Sequence, residues 1–426
     1  MPEHEHEIAR RLLFLCLAPA RPETETRSAA KKHHRGAPKP QIAGAHTEDW
    51  DALIQFSVRQ GVAPLLAVRT RHVPMPVAFR ERLETIYIAN SVRNLRFAAE
   101  ESRLSAALTG AGLRHWPLKG PGLSERLYAD VGVRQISDLD LLIEPANLAR
   151  TDALLAGLGY QRQTRGPISA LSRAQELLYI REVPSSSSAP AGADPALPAS
   201  SWEGVRPLSS PPATSHSSPA TSFYLDLHQR LLPYVRRDAL ARSVFAEGMT
   251  NENLLLYLCA NQITHRFARL RYVCDVTAFL EREGAAVNWD RLVRTARKMP
   301  WGPGVGLALD WAGELVPERV PPAVLKALRP NPLGDLLLRR ALGADAAEAA
   351  SRERTLDGPA GASVAVGAAF LGPAQLGMAW RVAFPSQAYL REQTGAPAGA
   401  PPFPAYASRV MRRIPAALRH LLKKTR

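Results

Sequence analysis

The segment QISDLDLLI (residues 135–143) constrains the fold of this 426-residue chain most, because it places two acids inside an apolar run. Its apolar residues, typical of a buried β-strand, are Ile136, Leu139, Leu141 and Leu142. Side chains alternate across a strand, so Asp138 and Asp140 share one face. Two carboxylates at the margin of a core repel each other unless they are protonated or bridged by a cation.

A divalent cation that prefers hard oxygen ligands, Mg²⁺ or Mn²⁺, is the simplest solution for such a pair. A third acid, Asp226, lies in a second predicted strand, FYLDLH. Adjacent strands are ~5 Å apart, so Asp226 could complete a three-carboxylate cluster that holds one or two metal ions for attack on a phosphoryl group. Taken singly, a D-x-D pair is also common at caps and on solvated faces, and Asp226 fits a surface strand.

Upstream, LKGPGL (residues 118–123) contains in order a strand end, a lysine, two glycines and a helix start. A helix N-terminus with small residues binds phosphate through backbone N–H groups, and Lys119 can add a charge. Arg134 could hold a phosphate, organise the acids or form a structural ion pair. Taken alone, Lys119 could be an ordinary surface residue, and the two glycines could be ordinary turn residues. Together, the order strand, helix, strand and later strand indicates phosphoryl or nucleotidyl transfer.

The period of the apolar residues predicts an α+β fold, in which a small mixed-sheet core is flanked by helical regions and interrupted by disordered insertions. Between residues 184 and 220, 26 of 37 residues are Ser, Pro or Ala, a composition that favours disorder. The strand candidates on either side of this insertion are expected to be hairpin neighbours. The predicted divisions are an N-terminal helical region at 1–110 with a flexible part at 21–45, a core at 111–235, a helical region at 236–394, and a Pro-rich linker with a basic tail at 395–426.

One long helix is predicted from about Pro76 to Gly110. The candidates for its buried face are Phe79, Leu83, Ile86, Val92, Leu95 and Ala99.

The net charge of +15 favours anionic partners. Residues 407–426 carry seven Arg or Lys and no acid, which predicts weak contact with an anionic membrane surface or RNA. Three scattered cysteines fit a reducing compartment, so the expected location is the cytoplasm, with peripheral membrane contact through the tail. No transmembrane segment is expected, because the long uncharged stretch 359–380 is mostly Ala and Gly and contains Pro373.

Several segments together resemble the signature of an uncharacterised bacterial nucleotidyltransferase family of the polymerase-beta-like superfamily. They are LKGPGL…YADVGVRQISDLDLLI, LDLHQRL, DWDALIQFSVRQGVAPLL, RLRYVCDVTAFL and FPSQAYLRE. The resemblance implies that Asp138 and Asp140 are ligands of Mg²⁺ or Mn²⁺. Asp226 would be the third carboxylate, either a metal ligand or the base that activates the acceptor.

The same resemblance implies that Gly120 faces the phosphates of a nucleoside triphosphate. Lys119 and Arg134 match positions for which phosphate contact is expected. His228 matches the later motif and would either touch the substrate or pack. The chain departs from the superfamily at Pro121, which removes one backbone N–H from the helix start.

Two further positions bear on the resemblance. Asn261 stands where a histidine is expected, and His265 follows four residues later. Asp275 is expected to form an ion pair with Arg271 within a helix rather than to act in catalysis.

The implied reaction transfers a nucleoside monophosphate from a nucleoside triphosphate to an unknown small-molecule, saccharide or peptide acceptor. One alternative is a glycosyltransferase, because those enzymes also use D-x-D to bind a metal and a nucleotide-sugar. Another is a binding protein with a degenerate nucleotidyltransferase fold.

Overall fold

A computed structural model gives the structure of the chain. It describes residues 2–17, 47–163, 176–183, 221–232, 238–330 apart from 266 and 300, and 332, 334–336, 339 and 345–351. The predicted flexible part at 21–45, the insertion at 184–220, the stretch 359–380 and the linker and tail at 395–426 lie outside the described residues.

Five strands form one mixed sheet, which confirms the predicted α+β class. The strands are β1 (His115–Lys119), β2 (Leu139–Ile143), β3 (Gln161–Arg162), β4 (Glu176–Val183) and β5 (Thr221–His228). Their spatial order is β1-β2-β5-β4-β3. Among the strands that the structure describes, only the β2–β5 pair is parallel, and the other three pairs are antiparallel. The central strand therefore has β2 on one side and β4 on the other.

Strands β4 and β5 confirm the expectation that the segments flanking the long insertion are hairpin neighbours. They pair antiparallel along their whole length, and Val183 lies opposite Thr221. The sheet is consequently continuous across the 184–220 segment.

The helices of the described residues pack on one another and, in part, on this sheet. They include α1 (Pro2–Leu17), α2 (Thr47–Gln60), α3 (Ala63–Arg69), α4 (Val77–Gly110), α5 (Pro121–Tyr128), α6 (Leu148–Gly157), α7 (Ala239–Glu247), α8 (Asn251–Thr264), α9 (Leu270–Glu283), α10 (Trp289–Arg297), α11 (Gly302–Leu315), α12 (Pro322–Leu328) and α13 (Ala346–Ser351). Among them, no helix combines the length and apolar character needed to cross a bilayer.

The two faces of β2 belong to different apolar clusters, as alternation along a strand requires. Leu139, Leu141 and Ile143 pack with residues of α4 on one face. Leu142 belongs to the larger cluster, which includes the C-terminal helices α8 and α9. Because Asp140 is two residues before Leu142, its carboxylate points to the face that these helices cover.

Helix α4 has the predicted length, but part of its predicted buried face is wrong. Phe79 and Leu83 are buried as expected. Val92 and Leu95 are 47% and 58% exposed, and Ala99 is exposed as well. The helix thus turns a different side toward the sheet from the one that its apolar residues indicate.

Polar residues explain the difference. Asn90 and Asn94 are buried, and their side-chain amides donate to the backbone oxygens of Val131, Gly132 and Arg134 at 2.6–3.0 Å. These bonds satisfy the carbonyl groups of the loop that leads into β2, a requirement that outweighs the burial of two aliphatic side chains.

Candidate functional site

Three carboxylates meet at the start of β2. Asp138 lies one residue before the strand, Asp140 lies within it, and Asp226 lies on β5 directly opposite Asp140 in the parallel register. One ligand oxygen from each of the three lies within 4.8 Å of the others. The strand begins at Leu139 rather than at Gln135, so the residues before it form a loop that brings Asp138 to the same side.

Two nitrogen groups share one oxygen of the central carboxylate. Lys119 Nζ lies 3.3 Å from Asp140 Oδ1, and His228 Nε2 lies 2.9 Å from the same atom. Asp140 is 2% exposed, and within the described part of the chain its Oδ2 atom is buried without a hydrogen-bond partner. An unpartnered buried carboxylate oxygen within a cluster of oxygen donors suits a hard divalent cation.

The electrostatics separate the two acids of the D-x-D pair. Burial, followed by the charge of Asp140, raises the pKa of Asp138. Burial also opposes ionisation of Asp140, but the charge of Lys119 and the hydrogen bond from His228 outweigh it and hold the pKa of Asp140 below its usual range. Asp140 is therefore ionised at neutral pH. Asp138 is the carboxylate whose ionised form a bound cation would stabilise most.

The turn before α5 has the geometry of an open helix N-terminus. Gly120 has φ 119°, a backbone conformation that L side chains rarely adopt. Pro121 is the first helical residue, where proline is favoured because that N–H has no partner within the helix. The N–H groups of Gly122 and Leu123 in the same first turn also have no acceptor within the helix by position. Pro121 consequently removes one potential phosphate donor and leaves two.

Glu101 of α4 is a residue of this site that the sequence does not indicate. A Cβ atom placed on Gly120 would lie 2.5 Å from Glu101 Oε2, so the carboxyl group packs directly against the turn. Across the described ranges, that oxygen is buried and accepts no hydrogen bond. Burial raises the pKa of Glu101 to about 7.

We expect Glu101→Gln to stabilise the protein increasingly as pH rises from about 4.5 to about 7. The folded state holds its proton up to about pH 7 whereas the usual pKa is 4.5, so ionisation of Glu101 lowers the stability as pH rises through that window. Glutamine mimics the protonated form, which predicts a gain of about 1–3 kcal/mol at pH 8 and close to none at pH 4. Urea unfolding at both pH values measures it, with the exposed Glu81→Gln on the same helix as control. An equal effect at both pH values would contradict the assignment.

Arg134 lies in the loop before β2, with its side chain directed away from solvent. Its Nε atom is 3.0 Å from Asp275 Oδ2, and both side chains are at most 5% exposed. Tyr128 also donates to Asp275, at 2.9 Å. Of the roles predicted for Arg134, the structure therefore shows the structural ion pair. Phosphate contact by Arg134 stays a prediction.

Asp275 forms an ion pair, as predicted, but the predicted partner Arg271 is wrong. Arg271 donates to the hydroxyl of Tyr272 at 2.7 Å, whereas Asp275 pairs with Arg134 and accepts from Tyr128 of α5. An i,i+4 pair on a helix surface needs both side chains near solvent, and Asp275 is 1% exposed.

The comparisons with known proteins give one finding. A family model described as an uncharacterised nucleotidyltransferase matches residues 46–317, a span that contains every site residue named above. No curated protein and no solved structure is significantly similar to the chain.

Proposed function

Because the chain belongs to this family of uncharacterised nucleotidyltransferases, we propose that it transfers a nucleoside monophosphate from a nucleoside triphosphate to an acceptor, in a reaction that requires Mg²⁺ or Mn²⁺. The observation that carries the proposal is the cluster of Asp138, Asp140 and Asp226, with an unpartnered oxygen on its central member. A divalent ion held there would neutralise the phosphates and polarise the reacting phosphorus.

Neighbouring residues orient the carboxylates and bind the phosphates. Lys119 and His228 hold Asp140 ionised and fix its orientation through one oxygen, so its second oxygen would be the one to bind a cation. The N-terminus of α5 at Gly120 offers backbone N–H groups to phosphate oxygens. Arg134 positions the loop before Asp138 through its bond to Asp275.

The transfer itself forms one bond and breaks one. A hydroxyl or phosphate oxygen of the acceptor attacks the α-phosphorus, and pyrophosphate leaves from the opposite side. Asp226 would either bind the cation or take the proton of an attacking hydroxyl. The acceptor classes that we propose are small molecules, saccharides and peptides.

Calorimetric titration tests the proposal directly. Mg²⁺ or Mn²⁺ should support binding of at least one of ATP, CTP, GTP and UTP by the full-length protein, and EDTA should abolish it. Absence of metal-dependent binding for all four nucleotides would remove the basis of the proposal. Binding of nucleotide-sugars but not of triphosphates would instead favour the glycosyltransferase alternative, and binding without pyrophosphate release in the presence of any acceptor class would favour a degenerate site.

A further inference from the structure

An aromatic pair lies at the end of α8 and on α9, the helices whose apolar residues cluster with the face of β2 that carries Asp140. The ring of His265, just after α8, stacks on the ring of Tyr272 in α9, with centroids 4.5 Å apart and planes at 13°. Tyr272 is 2% exposed, whereas His265 is exposed. Tyr272 is thus a fixed support, and the imidazole stacked on it is accessible to a ligand.

The position of the pair follows from helix geometry. Tyr272 lies three residues before Asp275, so both side chains project from the same face of α9. Asp275 is bonded to Arg134, which immediately precedes the segment leading to Asp138. That bond anchors this face of α9 against the loop that carries the carboxylates.

The imidazole lies within electrostatic reach of the same site. The charges of Lys119 and Asp140 both act on His265, and the hydroxyl of Tyr272 acts on Lys119. Solvent reaches the ring, which offers an aromatic face to a ligand.

We propose that His265, supported by Tyr272, stacks against the base of the nucleotide whose phosphates are bound at the carboxylate cluster. This inference rests on the proposed function and specifies which part of the site holds the nucleoside. Stacking on an aromatic ring tolerates every base, because each base has a π face. The platform therefore contributes affinity for nucleotides in general and little discrimination among them.

The test compares ligands with and without a base. With Mg²⁺ present, His265→Ala should weaken binding of the nucleoside triphosphates roughly 5- to 100-fold, the range that loss of one base–aromatic stack produces. It should leave binding of inorganic tripolyphosphate unchanged. His265→Phe retains the aromatic face and should keep binding close to the wild-type value. His72→Ala, which removes an exposed histidine before α4, is the matched control.

Fluorescence supplies a second readout. The emission of 2-aminopurine riboside triphosphate should be quenched on binding to the wild type and to His265→Phe, and should recover with His265→Ala. Equal weakening of triphosphate and tripolyphosphate by His265→Ala, or unchanged nucleotide binding, would overturn the stacking role. Failure of the wild type to bind any metal–nucleotide would overturn the proposed function instead, so the two failures are distinguishable.

Discussion

Asp138→Asn is expected to abolish metal-dependent nucleotide binding while leaving the metal-free protein at least as stable as the wild type. Burial and the nearby charge of Asp140 raise the pKa of Asp138, so its ionised form is unfavourable in the folded state when no cation is present. Asparagine removes this charge and keeps an acceptor for the hydroxyl of Ser137, which now donates at 2.8 Å. The same change removes one of three carboxylate ligands. Loss of a group that only supports a metal ligand costs about 10- to 100-fold in metal affinity, so loss of a ligand should cost about 100-fold or more.

Asp140→Asn should behave differently. It is expected to lose binding as well, but also to destabilise the metal-free protein by about 3 kcal/mol, because the mostly buried ammonium of Lys119 is left without its charge partner. Calorimetry with Mn²⁺ and nucleotide measures binding, and urea unfolding in EDTA measures stability. The control is Asp51→Asn, which alters a half-exposed surface pair with Arg82.

The contrast between the two acids makes the test decisive. A purely structural role for both carboxylates predicts that the two variants lose stability together. A metal site predicts that only Asp140→Asn is destabilised while both lose binding. Retention of wild-type affinity by Asp138→Asn would show that the cation, if it binds, does not use this residue.

The carboxylate cluster was predictable because its signal is local. Asp138 and Asp140 are separated by one residue, and alternation alone places them on one face. Asp226 is far away in the sequence, and only the strand pattern around it, together with the family resemblance, indicated its place. The parallel pairing that puts Asp226 opposite Asp140 depends on the order of the strands in space, which no local pattern encodes.

The misplaced face of α4 and the missed Glu101 have a common cause. A hydrophobic period assigns burial from apolar side chains, so it favours Val92 and Leu95 over Asn90 and Asn94. The asparagines are buried because the loop before β2 needs donors for its carbonyl groups, a demand that arises only in the folded chain. Glu101 projects from the same helix toward the Gly120 turn and likewise acquires its unusual environment from a tertiary contact.

Removing either partner of the Arg134–Asp275 pair is expected to lower the free energy of unfolding by about 3–5 kcal/mol. Both side chains are almost fully buried, and truncating one of them leaves an uncompensated charge in the core. Arg134→Met and Asp275→Leu are the single variants, and urea unfolding measures each. Because the double variant buries no unpaired charge, its loss should be clearly smaller than the sum of the two.

The same variants decide between the two roles open to Arg134. If it positions the loop before Asp138, then Asp275→Leu should weaken metal–nucleotide binding as well, although Asp275 carries no positive charge for a phosphate. If Arg134 contacts phosphate instead, Arg134→Met should weaken binding with little loss of stability, and Asp275→Leu should leave affinity intact. The exposed pair Arg82–Asp51 is the control, since such surface pairs contribute about 0–1 kcal/mol. If Arg134→Met and Asp275→Leu each lowered the free energy of unfolding by no more than the control pair does, the positioning role would be contradicted.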